Sequence, residues 1–197
     1  VYTRHCSIPT PEHEGFLGDP EPTNFGYGWA KRLLEVHARG LHQQFDVGVT
    51  IVRPYNGYGP RDNFSDETSH VIPALIKRAD QSVEVFPVWG DGQQTRSFLY
   101  VSDFVEGILV AAEQSANADP INIGSDEEVT IADLAQRIVN LVNPDLQLDF
   151  DLEKPRGQPR RRGDHTKAKA LGFEPTVPLS EGLARTVHWF KEVRPNL

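Results

Sequence analysis

Methionine is absent from the 197 residues of this chain, and cysteine occurs once, as Cys6. One cysteine cannot close an internal disulfide, so a covalently stapled scaffold is excluded and a reducing, cytoplasmic setting is expected. The missing methionine leads us to expect a piece of a longer protein. Positive charge is in deficit: 20 Lys and Arg stand against 28 Asp and Glu, a net charge of −8. Such a balance argues against nucleic acid and against an anionic membrane surface as partners. No apolar run reaches the roughly 18–20 residues that span a bilayer. Missing too are a His/Cys/Asp cluster with metal-ligand spacing and a G-x-S-x-G nucleophile elbow. No glycine-rich phosphate loop follows a strand either: "GYGP" is broken by proline, and "GDGQQ" leads into a strand.

The residues that are present make an ordinary globular interior, 38% hydrophobic and 24% charged, enough for one domain or one domain with a small lobe. Asn24 to about Phe45 reads as a long helix, with Leu33, Val36, Leu41 and Phe45 at mostly helical spacing. "VGVTIVRP", Val47 to Pro54, is a β-branched run closed by proline and reads as a buried strand. Loop residues follow to Thr68, and Ser69 is placed to cap a helix through "HVIPALIKRAD", whose Pro73 falls in the first turn. Strands are expected near Val83–Val88 and Arg96–Val101. "SDFVEGILVAAE" opens with Ser102 and Asp103 as capping candidates for an amphipathic helix. "PINIGS" and "LQLDFDL" read as strands, and "TIADLAQRIVNLV", "TKAKALGF" and "LSEGLARTVHWFKEV" as helices. Helix and strand alternate throughout, which makes the class α/β.

Tyr27 and Lys31 stand at i, i+4 and project from one helix face. A free phenol titrates near pH 10, too high for proton exchange at neutral pH, and a neighbouring ammonium favours the phenolate. The plain alternative is an aromatic in the core and a lysine in water. Asn56 lies in the loop "NGYGPRDNF" directly after a strand, where ligands of open α/β sheets collect. His70 sits at a helix N-terminus, where the dipole disfavours imidazolium and a neutral ring can serve as acid or base. Arg96 stands at the entry to a strand, and the cluster Arg156, Arg160, Arg161 and Arg162 suggests an anionic ligand such as a diphosphate, with at most one or two of the four touching it. A solvated loop that balances excess carboxylates is the alternative.

In their order, "YGWAK", "RPYNGYGPRDNF", "SHVIPALIKRA", "VWGDGQQTRSFLYVSDFVEGI", "NIGSDEEVTIADLA" and "LGFEPTVPLSEGL" resemble the C-terminal part of the extended short-chain dehydrogenases/reductases that modify nucleotide sugars, the NAD-dependent epimerase/dehydratase family. Within it the similarity is strongest to the GDP-fucose synthases, with "WGDGQQTRSF" and "NIGSDEEV" also similar to GDP-mannose epimerases. The resemblance implies a Rossmann-type doubly wound parallel sheet with a small α/β lobe. Residues 1–62 and 98–125 would belong to the Rossmann-like domain, and 63–97 and 126–197 to the nucleotide-sugar lobe.

It further implies that Tyr27 is the catalytic tyrosine and Lys31 the lysine that holds the nicotinamide ribose. Pro54 and Asn56 would line the cofactor, Asn56 also the sugar. His70 would be the acid of epimerisation, and Arg78, Arg96 and Arg160 would bind the substrate's diphosphate end. The implied cofactor is NAD or NADP, the implied ligand a nucleotide-diphosphate sugar. The family's catalytic serine or threonine, its epimerisation cysteine and its glycine-rich turn are not found here, and Cys6 does not replace that cysteine. Weak dinucleotide binding by this chain alone is therefore expected, together with a homodimer or other oligomer that covers an exposed sheet edge. A UDP-sugar epimerase, a sugar-nucleotide dehydratase and a non-catalytic binding or dimerisation module remain open alternatives.

Overall fold

The computed structural model describes residues 1–154 and 158–193, so Arg156 lies outside the described residues. Two 3-10 turns, Glu12–Phe16 and Pro22–Asn24, precede α1 (Phe25–Phe45). Then come β1 (Val52–Pro54), β2 (Gly57–Tyr58), α2 (Val71–Gln81), β3 (Val85–Trp89), β4 (Thr95–Ser97), β5 (Leu99–Tyr100) and α3 (Val101–Gln114). The chain continues through β6 (Ile121–Ile123), β7 (Glu128–Thr130), α4 (Ile131–Val142), β8 (Gln147–Asp151), β9 (Arg160–Arg161), α5 (Thr166–Ala170) and α6 (Leu179–Val193). The fold is the α/β class with parallel pairing that the alternation implied.

The chain forms two compact units. One comprises Val1–Tyr55, Ser102–Asp126 and Arg161–Pro175; the other comprises Asn56–Val101, Glu127–Arg160 and Thr176–Leu197. The resemblance put the divisions at 62/63, 97/98 and 125/126; in the structure residues 161–175 group with the first unit.

In the first unit β1 and β6 pair in parallel, Val52 opposite Ile121 and Pro54 opposite Ile123. Regular pairing is shorter than the run Val47–Pro54 suggested: Val47 is exposed, Val49 makes only an isolated bridge to Asn117, and Pro54 has no N–H to extend the ladder. Around Ile51, Ile121, Ile123 and Phe173 the interior is notably polar, with Thr10, Glu12, Arg32, Glu35, Arg53, Asn122 and His165 all buried.

The second unit has a conventional apolar core. Helix α4 faces it with Ile131, Leu134, Ala135, Ile138 and Val139, the i, i+3, i+4, i+7, i+8 stripe of an amphipathic helix. Thr130 caps α4 by accepting the Asp133 N–H at 3.0 Å. Helices α2 and α6 pack on α4, and Phe86 and Val88 of β3 close the same core. β3 pairs in parallel with β8, Trp89 opposite Asp151, and β4 pairs antiparallel with β7.

Two caps differ from expectation. Helix α2 starts after His70 rather than Ser69, and no side chain caps it. Helix α3 starts at Val101, directly out of β5, so Ser102 and Asp103 lie inside its first turn.

Candidate active site

Helix α1 presents Tyr27 and Lys31 on its exposed side, the Lys31 Nζ lying 5.4 Å from the centroid of the Tyr27 ring. Phenol and ammonium therefore meet as the i, i+4 spacing requires, and Tyr27 is 64% exposed. The buried residues of the helix, Gly28, Arg32 and Glu35, form a stripe beside that pair, with Glu35 one turn on from Lys31. Gly28 must be glycine, because a Cβ there would stand 2.4 Å from the Pro20 ring.

Glu35 receives a two-pronged guanidinium from β1: Arg53 Nε donates to Oε1 at 2.8 Å and Nη2 to Oε2 at 2.6 Å. Arg53 also donates to the Glu12 carbonyl and to the Tyr2 hydroxyl, at 2.7 and 2.9 Å. Arg32 donates to the carbonyls of Val1 and Gly18 and stacks on Phe16 and Trp29. The helix bearing the tyrosine and lysine is thus held by buried charge, and its apolar residues Leu33, Leu34, Val36 and Phe45 face outward.

Pro54 is exposed at the carboxyl end of β1. In the second unit Asn56 adopts a left-handed backbone, φ 44°. Its carbonyl accepts the Leu99 N–H at 3.1 Å, and its amide Nδ2 donates to the Ser97 carbonyl at 2.8 Å. These bonds fix the loop entering β2. His70, 77% exposed, has its Nδ1 3.5 Å from Asp62 Oδ1.

Arg78 donates to the Pro87 carbonyl at 3.0 Å and lies 5.7 Å from the Trp89 ring centroid, while Lys154 Nζ lies 5.9 Å from the same centroid. Burial lowers the Arg78 pKa from its ordinary value without removing the charge at neutral pH. The sequence reading singled out neither Trp89 nor Lys154. The available signal was a tryptophan on the exposed phase of an alternating strand, just before the "GDGQ" turn.

Arg96 donates to the Thr95 carbonyl at 2.7 Å within β4. Arg160 clamps Glu128 with both prongs at 2.7 Å, so an anion at Arg160 would have to displace a carboxylate. Arg162 is likewise paired, with Asp126 at 2.8 Å.

Comparison with known proteins gives one consistent result. Residues 1–124 match the model of the NAD dependent epimerase/dehydratase family. The probable GDP-L-fucose synthase 1 of Oryza sativa subsp. japonica is 36% identical over 197 residues, an alignment covering 98% of this chain and 60% of that protein. The crystal structure of a GDP-L-fucose synthetase from Naegleria fowleri matches with a TM-score of 0.91 at 29% identity, over 99% of this chain and 63% of that one. The same synthetase has been crystallised bound to NADP. UDP-glucose 4-epimerase of Thermotoga maritima, crystallised with UDP-glucose, matches with a TM-score of 0.85 at 31% identity, over 98% of this chain and 61% of that one. This chain therefore spans about 60% of the length of such relatives.

Proposed function

Because the chain belongs to the NAD dependent epimerase/dehydratase family, we propose that it is the tyrosine- and lysine-bearing part of a nucleotide-sugar epimerase/reductase of the GDP-fucose-synthase kind. The observation that carries this reading is the Tyr27–Lys31 pair, exposed together on one face of α1 with the ammonium 5.4 Å from the ring.

A bound NAD or NADP supplies the hydride donor or acceptor. Tyr27 Oη exchanges a proton with the sugar oxygen whose carbon gains or loses that hydride. Lys31 Nζ, which makes no ion pair among the described residues, is available to a ribose hydroxyl and stabilises negative charge on the phenol oxygen. His70 handles a proton at the epimerised carbon. In the second unit, Trp89 offers an exposed face on which a nucleobase stacks, and Arg78, Lys154 and Arg96 supply positive charge for the diphosphate.

Turnover by the 197-residue chain alone is not expected, because the pyrophosphate cradle is not part of it. Joined to a glycine-rich cofactor-binding half, the protein should turn over a GDP-4-keto-sugar with NADPH. Tyr27→Phe should then lower kcat by about 10²–10⁴-fold, the range of general acid–base catalysis. Unchanged turnover would reject the assignment.

The likeness to the Thermotoga UDP-glucose 4-epimerase supports a second reading, a UDP-sugar epimerase. Parallel titrations with GDP- and UDP-sugars separate the two. Binding of either sugar nucleotide to a protein inactive with both cofactors would instead favour a non-catalytic module.

A further inference from the structure

We propose that Asp62 is a positioning residue for His70, fixing the imidazole with its proton on Nδ1 and its basic nitrogen, Nε2, turned outward; this rests on the acid–base reading of His70 given above. The two side chains approach across the loop before α2, with His70 Nδ1 3.5 Å from Asp62 Oδ1.

The loop is built to hold that carboxylate. Arg61 turns the chain through a left-handed φ of 69°. The Asp62 N–H donates to the Gly59 carbonyl at 3.3 Å, and Asp62 Oδ1 accepts the Asn63 N–H at 2.7 Å. Asp62 Oδ2 is buried and has no hydrogen-bond partner among the described residues, so one acceptor remains unmet in the loop that faces the imidazole. His70 is equally constrained at its main chain: it is the extended N-cap residue of α2, and its carbonyl accepts the Ala74 N–H at 3.0 Å. The other charges of the loop are engaged or outward. Asp66 pairs with Lys77 at 2.8 Å, and Arg61 and Glu67 are exposed.

A carboxylate can only accept, so the nitrogen turned toward it must carry the proton. The neutral ring then has its lone pair on Nε2, on a side chain that is 77% exposed. A proton taken at Nε2 makes an imidazolium whose charge Asp62 stabilises, and release of that proton restores the same Nδ1–H form. The contact is longer than a strong hydrogen bond, as is usual where catalytic contacts tighten only with substrate.

The test is imidazole ¹⁵N NMR of the 197-residue chain at about pH 8.5, two units above the ordinary histidine value of about 6.5. The expected result is a dominant Nδ1–H form for His70, shifting toward Nε2–H in Asp62→Ala and not in Asp66→Ala. Asp62→Asn keeps an oxygen for the Asn63 N–H, preserves the turn and should give an intermediate ratio. A dominant Nε2–H form in the unaltered chain, or a ratio that Asp62→Ala leaves unchanged, overturns the proposal. In a turnover-competent longer protein, Asp62→Ala should lower kcat about tenfold with KM unchanged, a modest share of what an acid–base group supplies. Full turnover by His70→Asn would overturn the acid–base reading itself, whatever the tautomer.

Discussion

Tyr27 and Trp89 show how differently single residues declare themselves. Tyr27 is legible from the chain because its partner, Lys31, is four positions away on the same helix, and local geometry alone brings them together. Trp89 is not, because Arg78 reaches it from α2 and Lys154 from just beyond β8, and only tertiary packing assembles that trio. The exposed ring predicts that Trp89→Ala weakens sugar-nucleotide affinity by about 1–3 kcal/mol, the range for a base stacked on an aromatic, readable by calorimetry as roughly 5- to 150-fold in Kd. Arg160→Ala, in contrast, should change affinity little, since Glu128 already holds both prongs of that guanidinium. An Arg160→Ala effect as large as that of Trp89→Ala would place the anion at Arg160 after all.

At the scale of elements, α1 is anchored in an unusual way. Its buried stripe is Gly28, Arg32 and Glu35, so its attachment to the first unit depends on the Arg53–Glu35 pair and on Arg32's bonds to two carbonyls. Breaking a buried ion pair by removing one partner leaves an unpaired buried charge and costs about 3–5 kcal/mol. Arg53→Met should therefore loosen α1 preferentially, with hydrogen exchange accelerating in α1 before α4, whose stripe is apolar. Uniform acceleration in both helices would count against this anchoring.

Helix α5 is held by a second charged cluster in the first unit. Asp126 accepts from Lys169, from Arg162 at 2.8 Å and from His165 at 3.3 Å, and these bonds hold its carboxyl well below the usual carboxylate range. His165 is buried, its Nε2 without a partner among the described residues, and a Cβ on Gly124 would lie 2.4 Å from that nitrogen. Burial lowers its pKa, outweighing the pull of Asp126. Unfolded histidine takes up its proton near pH 6.5, above the folded value. The stability due to neutral His165 is thus complete above about pH 6.5 and is lost as pH falls toward the folded value. Asp126 acts in the same direction lower down, its share present above about pH 4 and lost below; its partial exposure keeps that share small. Melting temperature should fall on going from neutral to mildly acidic pH, and His165→Asn should flatten that first stage. An equal fall in both proteins would remove His165 as the cause.

Over the whole molecule, the outward face of α1 is the main anomaly. Leu33, Leu34, Val36 and Phe45 are exposed, Leu33 at 68% and Phe45 at 66%. Burying one such side chain is worth about 1.5–3 kcal/mol, so this face favours association. Sedimentation of the 197-residue chain should reveal self-association that weakens in a Leu33→Lys, Phe45→Lys double variant; a monomer at all concentrations would refute it. No helix among the described residues is long and apolar enough to cross a membrane.

By itself the sequence determined the succession of helices α1 to α6, the α/β class and the placing of Tyr27 beside Lys31, because periodicity, turn residues and i, i+4 spacing act over a few positions; the short strands β2, β7 and β9 were not legible in it. The tertiary structure decided which charges have partners and which faces are covered. Arg53 sits inside a β-branched run that promised an apolar strand, yet it finds Glu35 on α1, Tyr2 and the Glu12 carbonyl. The apolar spacing of Leu33, Val36 and Phe45 promised an inward stripe, yet the inward stripe of α1 is polar. The physical reason is common to both. Burying a charge is favourable only where a counter-charge is delivered to it, and that delivery comes from residues far along the chain, which no local pattern encodes.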